Sequence, residues 1–231
     1  MLIYPHIPKT AGTTMQSILE QNYNSGFYRV HSRGDHQTWL REPRSVRNAT
    51  TCLQGHFTYG IHKYITRPYQ YITFLRDPIE RIISFYYYVQ DKSNHRLSKL
   101  FNKTELATII RKRWYAATNN DMTRFIAGRK DIGVNPYPVK RMFPDDLVLA
   151  KKHLNQFAAI GFVETFNKDL QTFAVQFGWK NIQYKSELVH PSRPTKSDLS
   201  PGVIELIKKH NKQDLELYDY ARELVGKRVA L

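Results

Sequence analysis

Residues 2–21 read LIYPHIPKTAGTTMQSILEQ, and they carry the clearest structural signal of the chain. The apolar run over residues 2–7 predicts a short strand, and the apolar periodicity that follows predicts a helix over residues 12–21. The turn between them carries a lysine, a glycine and several threonines. A strand that passes through such a turn into a helix is the first unit of an α/β fold.

The rest of the chain alternates between strand and helix signals. Aromatic and β-branched residues predict further strands over residues 27–31, 51–56, 71–75 and 158–162. Apolar periodicity predicts helices after residue 77, over residues 104–117, 121–127, 145–157 and 167–177, and as one or two elements over residues 201–225. Glycines and prolines predict a surface loop over residues 128–144. The alternation favours one α/β domain over residues 1–231, with a mainly parallel central sheet flanked by helices.

The composition excludes several classes of protein. Of the 231 residues, 41% are hydrophobic and 13% aromatic, which excludes a disordered or collagen-like chain. Thirty-five Lys and Arg against twenty Asp and Glu give a net charge of +15, which attracts anions such as nucleotide phosphates, acidic glycans or nucleic acid. No apolar run approaches the ~18 residues of a membrane span, and no signal peptide is recognisable. Because the lone Cys52 cannot form an intrachain disulfide, we expect a soluble, cytoplasmic protein.

The loop IPKTAGTT, residues 7–14, has the chemistry of a phosphate site. Backbone N–H groups at a helix N-terminus favour an anion, and Gly12 lets the backbone come close to one. Threonine hydroxyls donate further hydrogen bonds, and Lys9 adds a mobile positive charge. The loop is not the ATPase form GxxxxGK[ST], because the lysine precedes the Gly-Thr turn. A plain strand-to-helix turn would also use threonine and glycine, but it leaves Lys9 unexplained.

A second segment, YITFLRDPIER, ends at Arg81. Arg76 leaves the end of a predicted strand, where open α/β sheets bind ligands, and its guanidinium can clamp a phosphate. Ser84 can donate to the same phosphate from the following helix. Asp77 suits the N-cap of that helix, and Glu80 completes a capping box. Arg81 is expected at the surface or in an ion pair.

Together the two segments resemble the Golgi-type carbohydrate sulfotransferases, among which the heparan sulfate 2-O- and 6-O-sulfotransferases and their bacterial relatives are the nearest group. These enzymes use 3′-phosphoadenosine 5′-phosphosulfate (PAPS). The resemblance implies a P-loop-like nucleotide-binding architecture, in which the first loop holds the 5′-phosphosulfate and the second segment holds the 3′-phosphate. The implied donor-binding residues are Lys9, Thr10, Ala11, Gly12, Thr13 and Thr14 at the 5′ end, and Arg76 and Ser84 at the 3′ end.

The resemblance extends more weakly along the chain. NDMTRF, residues 120–125, looks like a family segment that follows the central helices. Residues 162–179 and the run RPTK, residues 193–196, look like the C-terminal portion that closes over the nucleotide, which places Thr195 and Lys196 there. Arg124 and Lys196 could reach the nucleotide or an acidic acceptor.

Transfer to a hydroxyl needs a base, and GHF, residues 55–57, is where the resemblance implies one. In the 2-O-sulfotransferase group a Gly-His pair before the 3′-phosphate segment carries the catalytic histidine, and His56 matches it. His62, six residues on, and His6, before the first loop, remain alternatives for the base, and His62 is also a candidate for binding the acceptor. The implied mechanism is an in-line displacement at sulfur, in which His56 takes the acceptor proton and Lys9 stabilises the leaving phosphate. No metal is expected, because the sequence has neither HExxH nor a cysteine cluster.

The chain departs from the family pattern in two respects. Pro5 interrupts the first strand, which predicts a shortened or edge-like strand start. The chain also lacks the membrane anchor, stem and disulfides of the animal Golgi enzymes, which indicates a bacterial-type cytoplasmic relative or a trimmed catalytic domain.

Two functions of other classes remain open. A nucleotide kinase or NTPase would also use a phosphate loop and predicts magnesium-dependent turnover of ATP. A non-catalytic module could bind nucleic acid or another polyanion through its basic and aromatic residues. We rank both below a sulfotransferase that acts on an acceptor hydroxyl, expected on a sugar or glycan, without a nucleic-acid partner.

Overall fold

In a computed structural model that describes residues 1–30, 39–95, 97–128, 142–184 and 193–229, five parallel strands form the central sheet. The strands are β1 (Leu2–Pro5), β2 (Phe27–Val30), β3 (Cys52–Gly55), β4 (Gln70–Leu75) and β5 (Phe157–Phe162). Their order across the sheet is β2-β3-β1-β4-β5. Ile3 of β1 lies in register with Leu53 on one side and with Tyr71 on the other.

The helices of the described residues cover both faces of this sheet. They are α1 (Gly12–Tyr23), α2 (Arg44–Ala49), α3 (Pro78–Asp91), α4 (Ser98–Phe101), α5 (Leu106–Lys112), α6 (Asp121–Ala127), α7 (Asp146–Leu154), α8 (Phe166–Phe177), α9 (Pro201–His210) and α10 (Lys212–Val229). Successive residues of a strand point to opposite faces, so Ile3 and Tyr4 enter different cores. Ile3 packs in the core that α6, α7 and α10 complete, and Tyr4 in the core of α1 and α8. A third apolar cluster joins α3, α4, α5 and α9. The expected α/β architecture is therefore confirmed.

The connections between strands place a crevice at the carboxyl ends of the two strands β1 and β4. After β1 the chain passes to the side of β3 and β2, whereas after β4 it passes to β5 on the other side. Open α/β sheets bind ligands where neighbouring connections diverge in this way, beyond the carboxyl ends of the strands. The two segments singled out in the sequence, after β1 and after β4, meet at this crevice.

Several local expectations need correction. Pro5 is not at an edge: it is the last residue of the central strand, and the ladder continues past it as the His6 N–H donates to the Gly55 carbonyl at 2.8 Å. The helix expected over residues 104–117 is only α5, because Arg113 has a left-handed backbone (φ 52°) that ends it. Helix α2 was not expected at all. The expected loop over residues 128–144 lies mostly outside the described residues.

Arg81 is an interior residue rather than a surface one. Its side chain is fully buried in α3, and its guanidinium lies 3.4 Å from the Asp121 carboxylate and 3.7 Å from that of Asp214. The Asp214 carboxylate also accepts hydrogen bonds from the backbone of Met122 and Thr123. The expected ion pair is therefore present, and it ties α10 to α3 and α6 behind the crevice.

Candidate active site

The loop after β1 curls tightly before α1 begins. Lys9 (φ 70°) and Ala11 (φ 61°) both have left-handed backbones, which L-residues rarely adopt outside functional turns. The Thr10 hydroxyl donates to the Ile7 carbonyl at 2.9 Å and is buried. No side chain of the described residues caps α1, so its first-turn N–H groups have no side-chain acceptor. Such a turn is suited to an anion.

The threonines of this loop differ in what they can donate. The single hydroxyl proton of Thr10 is used inside the loop, so in this arrangement its backbone N–H is the group that faces a ligand site. Ala11 likewise offers only its backbone. Thr13 is exposed and Thr14 half-buried in the first turn of α1, so their hydroxyls are the ones placed to meet a ligand.

Lys9 lies among positive charges. Its Nζ lies 3.9 Å from the centre of the Tyr88 ring, a cation–π contact. Burial, together with the nearby charges of Arg76, Arg193 and Lys92, lowers the pKa of Lys9 to about 8. Within the described residues no carboxylate forms an ion pair with Lys9. The surroundings of Lys9 therefore favour the arrival of an anion.

Arg76 connects the two segments across the crevice. One guanidinium nitrogen donates to the Lys9 carbonyl at 3.4 Å, and the other lies 3.8 Å from the Glu80 carboxylate. Arg193, from the far end of the chain, reaches the same carboxylate at 3.5 Å. Arg193 was not among the expected site residues, although the basic run over residues 193–196 was the signal for it. Burial and the neighbouring Arg193 charge lower the pKa of Arg76.

Ser84 lies on the face of α3 that these cations contact. Residues four apart share a helix face, so Glu80, Ser84 and Tyr88 form one row. Arg76 contacts the first member of this row and Lys9 the last. Ser84 is therefore flanked by the two ends of the cationic group, and it is buried. Its expected contact with a phosphate stays a prediction.

Lys196 contacts the start of α3, and Thr195 caps the turn that carries it. The Lys196 N–H donates to the Glu80 carboxylate at 2.8 Å, and its Nζ lies 3.2 Å from the Asp77 carboxylate. The Thr195 hydroxyl donates to the Asp198 carboxylate at 2.9 Å. Thr195 and Asp198 also form the capping box of the turn Lys196–Asp198, in which the Thr195 N–H donates to the same carboxylate at 2.8 Å. The structure thus brings Lys196 to the second segment but uses the Thr195 hydroxyl locally.

The capping box expected at α3 is only half present. Asp77 accepts from the backbone N–H groups of Ile79 (2.9 Å) and Glu80 (3.1 Å), as an N-cap does. The Glu80 side chain does not return to the Asp77 N–H, which donates instead to Glu164 at 2.8 Å. Glu80 is left to hold Arg76, Arg193 and the backbone of Lys196.

His56 follows β3 and is held by the residue that precedes the first loop. Its Nδ1 lies 2.8 Å from the His6 carbonyl oxygen. A carbonyl only accepts, so in the neutral ring Nδ1 carries the proton and the lone pair is on Nε2. The exposed His56 ring stacks on the His6 ring, with centroids 4.5 Å apart. The His6 ring packs directly against Gly12. A Cβ at that position would be 1.8 Å from His6 Nε2, so only glycine leaves room for the ring.

His62 and Arg124 are not at the crevice. The His62 Nδ1 lies 3.0 Å from the Tyr71 hydroxyl, and Tyr71 is at the amino end of β4, about 16 Å of strand before Arg76. The guanidinium of Arg124 is buried and donates to the Asn119 carbonyl at 2.9 Å and to its side-chain oxygen at 3.0 Å. The expectations that these residues bind the nucleotide or acceptor are therefore not supported by their positions.

Metal-binding clusters and membrane-spanning helices are both absent from the part of the chain that the structure describes. No group of three or more His, Cys, Asp and Glu side chains in those ranges could hold a metal ion. No helix in the same part of the chain has the length and apolar character needed to cross a membrane.

A model of the sulfotransferase family matches residues 1–221 of this chain. The chain belongs to the sulfotransferase family. The zebrafish heparan-sulfate 6-O-sulfotransferase 1-B is 26% identical over 279 residues, and the human heparan-sulfate 6-O-sulfotransferase 1 is 25% identical over 279 residues. Each alignment covers 99% of this chain and 66% of the relative. The chain thus spans just under two thirds of the length of these curated relatives.

A solved sulfotransferase structure shares the fold of this family member. The crystal structure of mouse sulfotransferase SULT7A1, complexed with PAP, superposes with a TM-score of 0.51 at 13% identity. The match covers 97% of this chain and 88% of the mouse chain. The expected sulfotransferase architecture is confirmed by this likeness together with the family match.

Proposed function

We propose that this chain transfers a sulfuryl group from PAPS to a hydroxyl of a carbohydrate acceptor. The observation that carries the proposal is the meeting of the two segments in a chain of the sulfotransferase family, where Arg76 donates to the Lys9 carbonyl at 3.4 Å. The names of the heparan-sulfate 6-O-sulfotransferase relatives support the reaction and the class of acceptor. The mouse structure bound to PAP, the desulfated product, supports the donor. The family match favours this reaction over the kinase and polyanion-binding alternatives.

The residues present fit a donor with phosphate groups at two ends. Lys9, the backbone of Thr10, Ala11 and Gly12, and the hydroxyls of Thr13 and Thr14 would hold the 5′ end. Arg76 and Ser84 would hold the 3′-phosphate, with Arg193 as a second guanidinium and Lys196 as an outer charge. Thr195 would position Lys196 through its cap rather than touch the donor. These residues form a dense group of cations, and Lys9 has no carboxylate partner among the described residues. Such a group suits a highly charged nucleotide.

His56 is proposed as the general base. PAPS supplies a sulfuryl group whose bond to the 5′-phosphate breaks as the acceptor oxygen bonds to sulfur. The Nε2 of His56 takes the proton that the acceptor hydroxyl loses, because Nδ1 is already protonated toward His6. Lys9 offsets the negative charge that grows on the departing phosphate, together with the first-turn amides of α1. No metal takes part in this scheme.

We assign the reaction to one catalytic domain that works in a reducing compartment such as the cytoplasm. The buried Cys52 is the sole cysteine of the sequence and cannot form an intrachain disulfide. The net charge of +15 suits an acceptor that is itself acidic, although a neutral sugar hydroxyl has the same reactive group.

Calorimetric titration with adenosine 3′,5′-bisphosphate, alongside ATP with magnesium, tests the donor site. We expect one-to-one, metal-independent binding that Arg76→Ala abolishes. Arg111→Ala is the matched control, because it removes the same charge from an exposed position of α5. Binding of ATP but not of the bisphosphate would overturn the proposal in favour of the kinase alternative. A positive result leads to an assay of PAPS turnover against a panel of neutral and acidic sugars.

A further inference from the structure

Glu80 is the acidic residue at the centre of the cationic group. Its side chain lies in the first turn of α3 and is 18% exposed. Its carboxylate meets the guanidinium of Arg76 at 3.8 Å and that of Arg193 at 3.5 Å, and it accepts from the Lys196 N–H at 2.8 Å. The Glu80 backbone carbonyl also accepts from Arg193, at 3.5 Å.

These contacts join two parts of the chain that are distant in sequence. Arg193 and Lys196 lie 113 and 116 residues after Glu80. The other contact that holds this segment to α3 in the described residues is the ion pair of Lys196 with Asp77. That lysine is 56% exposed, so solvent screens the pair. Glu80 is less exposed than Lys196 and contacts both Arg193 and Lys196, so it is the better shielded polar attachment of residues 193–198 to the crevice.

The two guanidinium groups repel each other unless an anion lies between them. The neighbouring Arg193 charge lowers the pKa of Arg76, and the Glu80 charge raises it. Glu80 therefore offsets the repulsion and keeps both arginines at the crevice before any ligand arrives. A phosphate that binds to both arginines would meet them already in place, which reduces the cost of ordering them.

We propose that Glu80 is a positioning residue that assembles a two-arginine clamp, Arg76 with Arg193, for the donor's 3′-phosphate. The inference rests on the proposed function for the identity of the ligand, but not for the attachment of the segment. A carboxylate that competed with the phosphate for the arginines would weaken phosphate binding. In this proposal Glu80 strengthens it instead, because it holds both arginines in place.

Glu80→Gln tests the proposal, because glutamine keeps the size and one acceptor oxygen but loses the charge. Glu205→Gln is the matched control: Glu205 is exposed on α9 and pairs only with Lys208 among the described contacts. We expect Glu80→Gln to weaken binding of adenosine 3′,5′-bisphosphate about tenfold. The KM for PAPS should rise by a similar factor while kcat changes less than about twofold, since sulfuryl transfer occurs at the other end of the donor.

A double-mutant cycle separates positioning from a simple change in charge. Once Arg193 is replaced by alanine, the clamp is lost, and Glu80→Gln should then cost little further affinity. Affinity in Glu80→Gln equal to or higher than that of the wild type, or additive effects in the cycle, would overturn the proposal.

Amide hydrogen exchange of the nucleotide-free protein tests the attachment without any ligand. Peptides covering residues 193–198 should exchange faster in Glu80→Gln and unchanged in Glu205→Gln. Equal exchange in all three proteins would overturn the positioning role. Residues 193–198 could exchange faster in Glu80→Gln while the wild type bound no bisphosphate. The proposed function would then fail while the attachment by Glu80 stood, so the two failures are distinguishable.

Discussion

The imidazole of His56 stacks on that of His6, with centroids 4.5 Å apart and planes inclined by 28°, while its Nδ1 lies 2.8 Å from the carbonyl oxygen of the same residue. One residue thus fixes both the orientation of the His56 ring and the nitrogen that carries its proton. Because His6 directly precedes the first loop, the proposed base and the proposed phosphate site are held by one short stretch of backbone. The alignment of base and donor therefore depends on a few local contacts.

Replacing His56 by alanine should lower kcat by about 10²–10⁴-fold, the usual contribution of a positioned general base. Affinity for adenosine 3′,5′-bisphosphate should stay within about twofold of the wild type, because His56 does not bind the nucleotide in our scheme. His62→Ala is the control, since that residue contacts Tyr71 at the other end of β4. Steady-state turnover of PAPS and calorimetry provide the two readouts. Near-normal turnover by a folded His56→Ala protein would exclude His56 as the base.

Replacing Lys9 by methionine should make nucleotide binding independent of pH over a range where the wild type is sensitive. Burial and surrounding cations lower the pKa of Lys9 to about 8 in the free protein, and a bound anion raises it again, so binding takes up a proton above pH 8. Wild-type affinity for the bisphosphate should fall as the pH rises from 8 to 9.5, by at most about tenfold per unit. Calorimetry in buffers of different ionisation enthalpy measures the uptake directly. Wild-type affinity for the bisphosphate that did not change between pH 8 and 9.5 would contradict this role of Lys9.

Replacing Gly12 by alanine should disturb the base as well as the loop. The added Cβ would lie 1.8 Å from His6 Nε2, so the His6 ring must move and its stack on His56 must change. We expect kcat to fall at least about tenfold and the melting temperature to drop, because forced contacts of this kind cost about 1–3 kcal/mol. Gly202→Ala in α9 is the control, since a Cβ there would meet no atom within 4 Å beyond its chain neighbours and the backbone of its own helix. Unchanged kcat in a folded Gly12→Ala protein would show that the His6 stack is dispensable.

The sequence predicted those features that local chemistry determines. Strand and helix periodicity located the sheet strands to within two residues, and the N-cap chemistry of Asp77 fixed the start of α3. A helix end at glycine or asparagine is easily recognised in a sequence. Arg113 instead ends α5 with a left-handed backbone, which arginine does not indicate.

The features that sequence reasoning missed depend on contacts between distant residues. Nothing near Glu80 in the chain indicates that Arg193, 113 residues away, shares its carboxylate. The Gly-His pair favours His56 over His62, but the sequence does not show where either lies. The sheet places His56 at the carboxyl ends of the strands and His62 beside the amino end of β4. The burial of Arg81 likewise requires α10 to supply Asp214.

Replacing Asp121 by asparagine should remove part of the pH dependence of stability. Burial, opposed by Arg81 and assisted by Asp214, raises the pKa of Asp121 from 3.8 to about 6. Between these values the folded protein binds more protons than the unfolded chain, so the contribution of Asp121 to stability is present below pH 4 and is lost as the pH rises through 6. The loss amounts to at most about 3 kcal/mol, from 1.36 kcal/mol per pKa unit.

Urea unfolding at pH 4.5, 5.5 and 6.5 measures this contribution as the difference between wild type and variant. Asp121→Asn should show a shallower fall in the free energy of unfolding with rising pH than the wild type. Asp219→Asn, an exposed position on the same helix as Asp214, should follow the wild-type profile. Parallel profiles for Asp121→Asn and the wild type would mean that Arg81 outweighs burial and keeps the Asp121 carboxylate ionised. The buried Asp121 carboxylate would then depend on the Arg81 guanidinium, and replacing Arg81 by methionine would cost correspondingly more stability above pH 6.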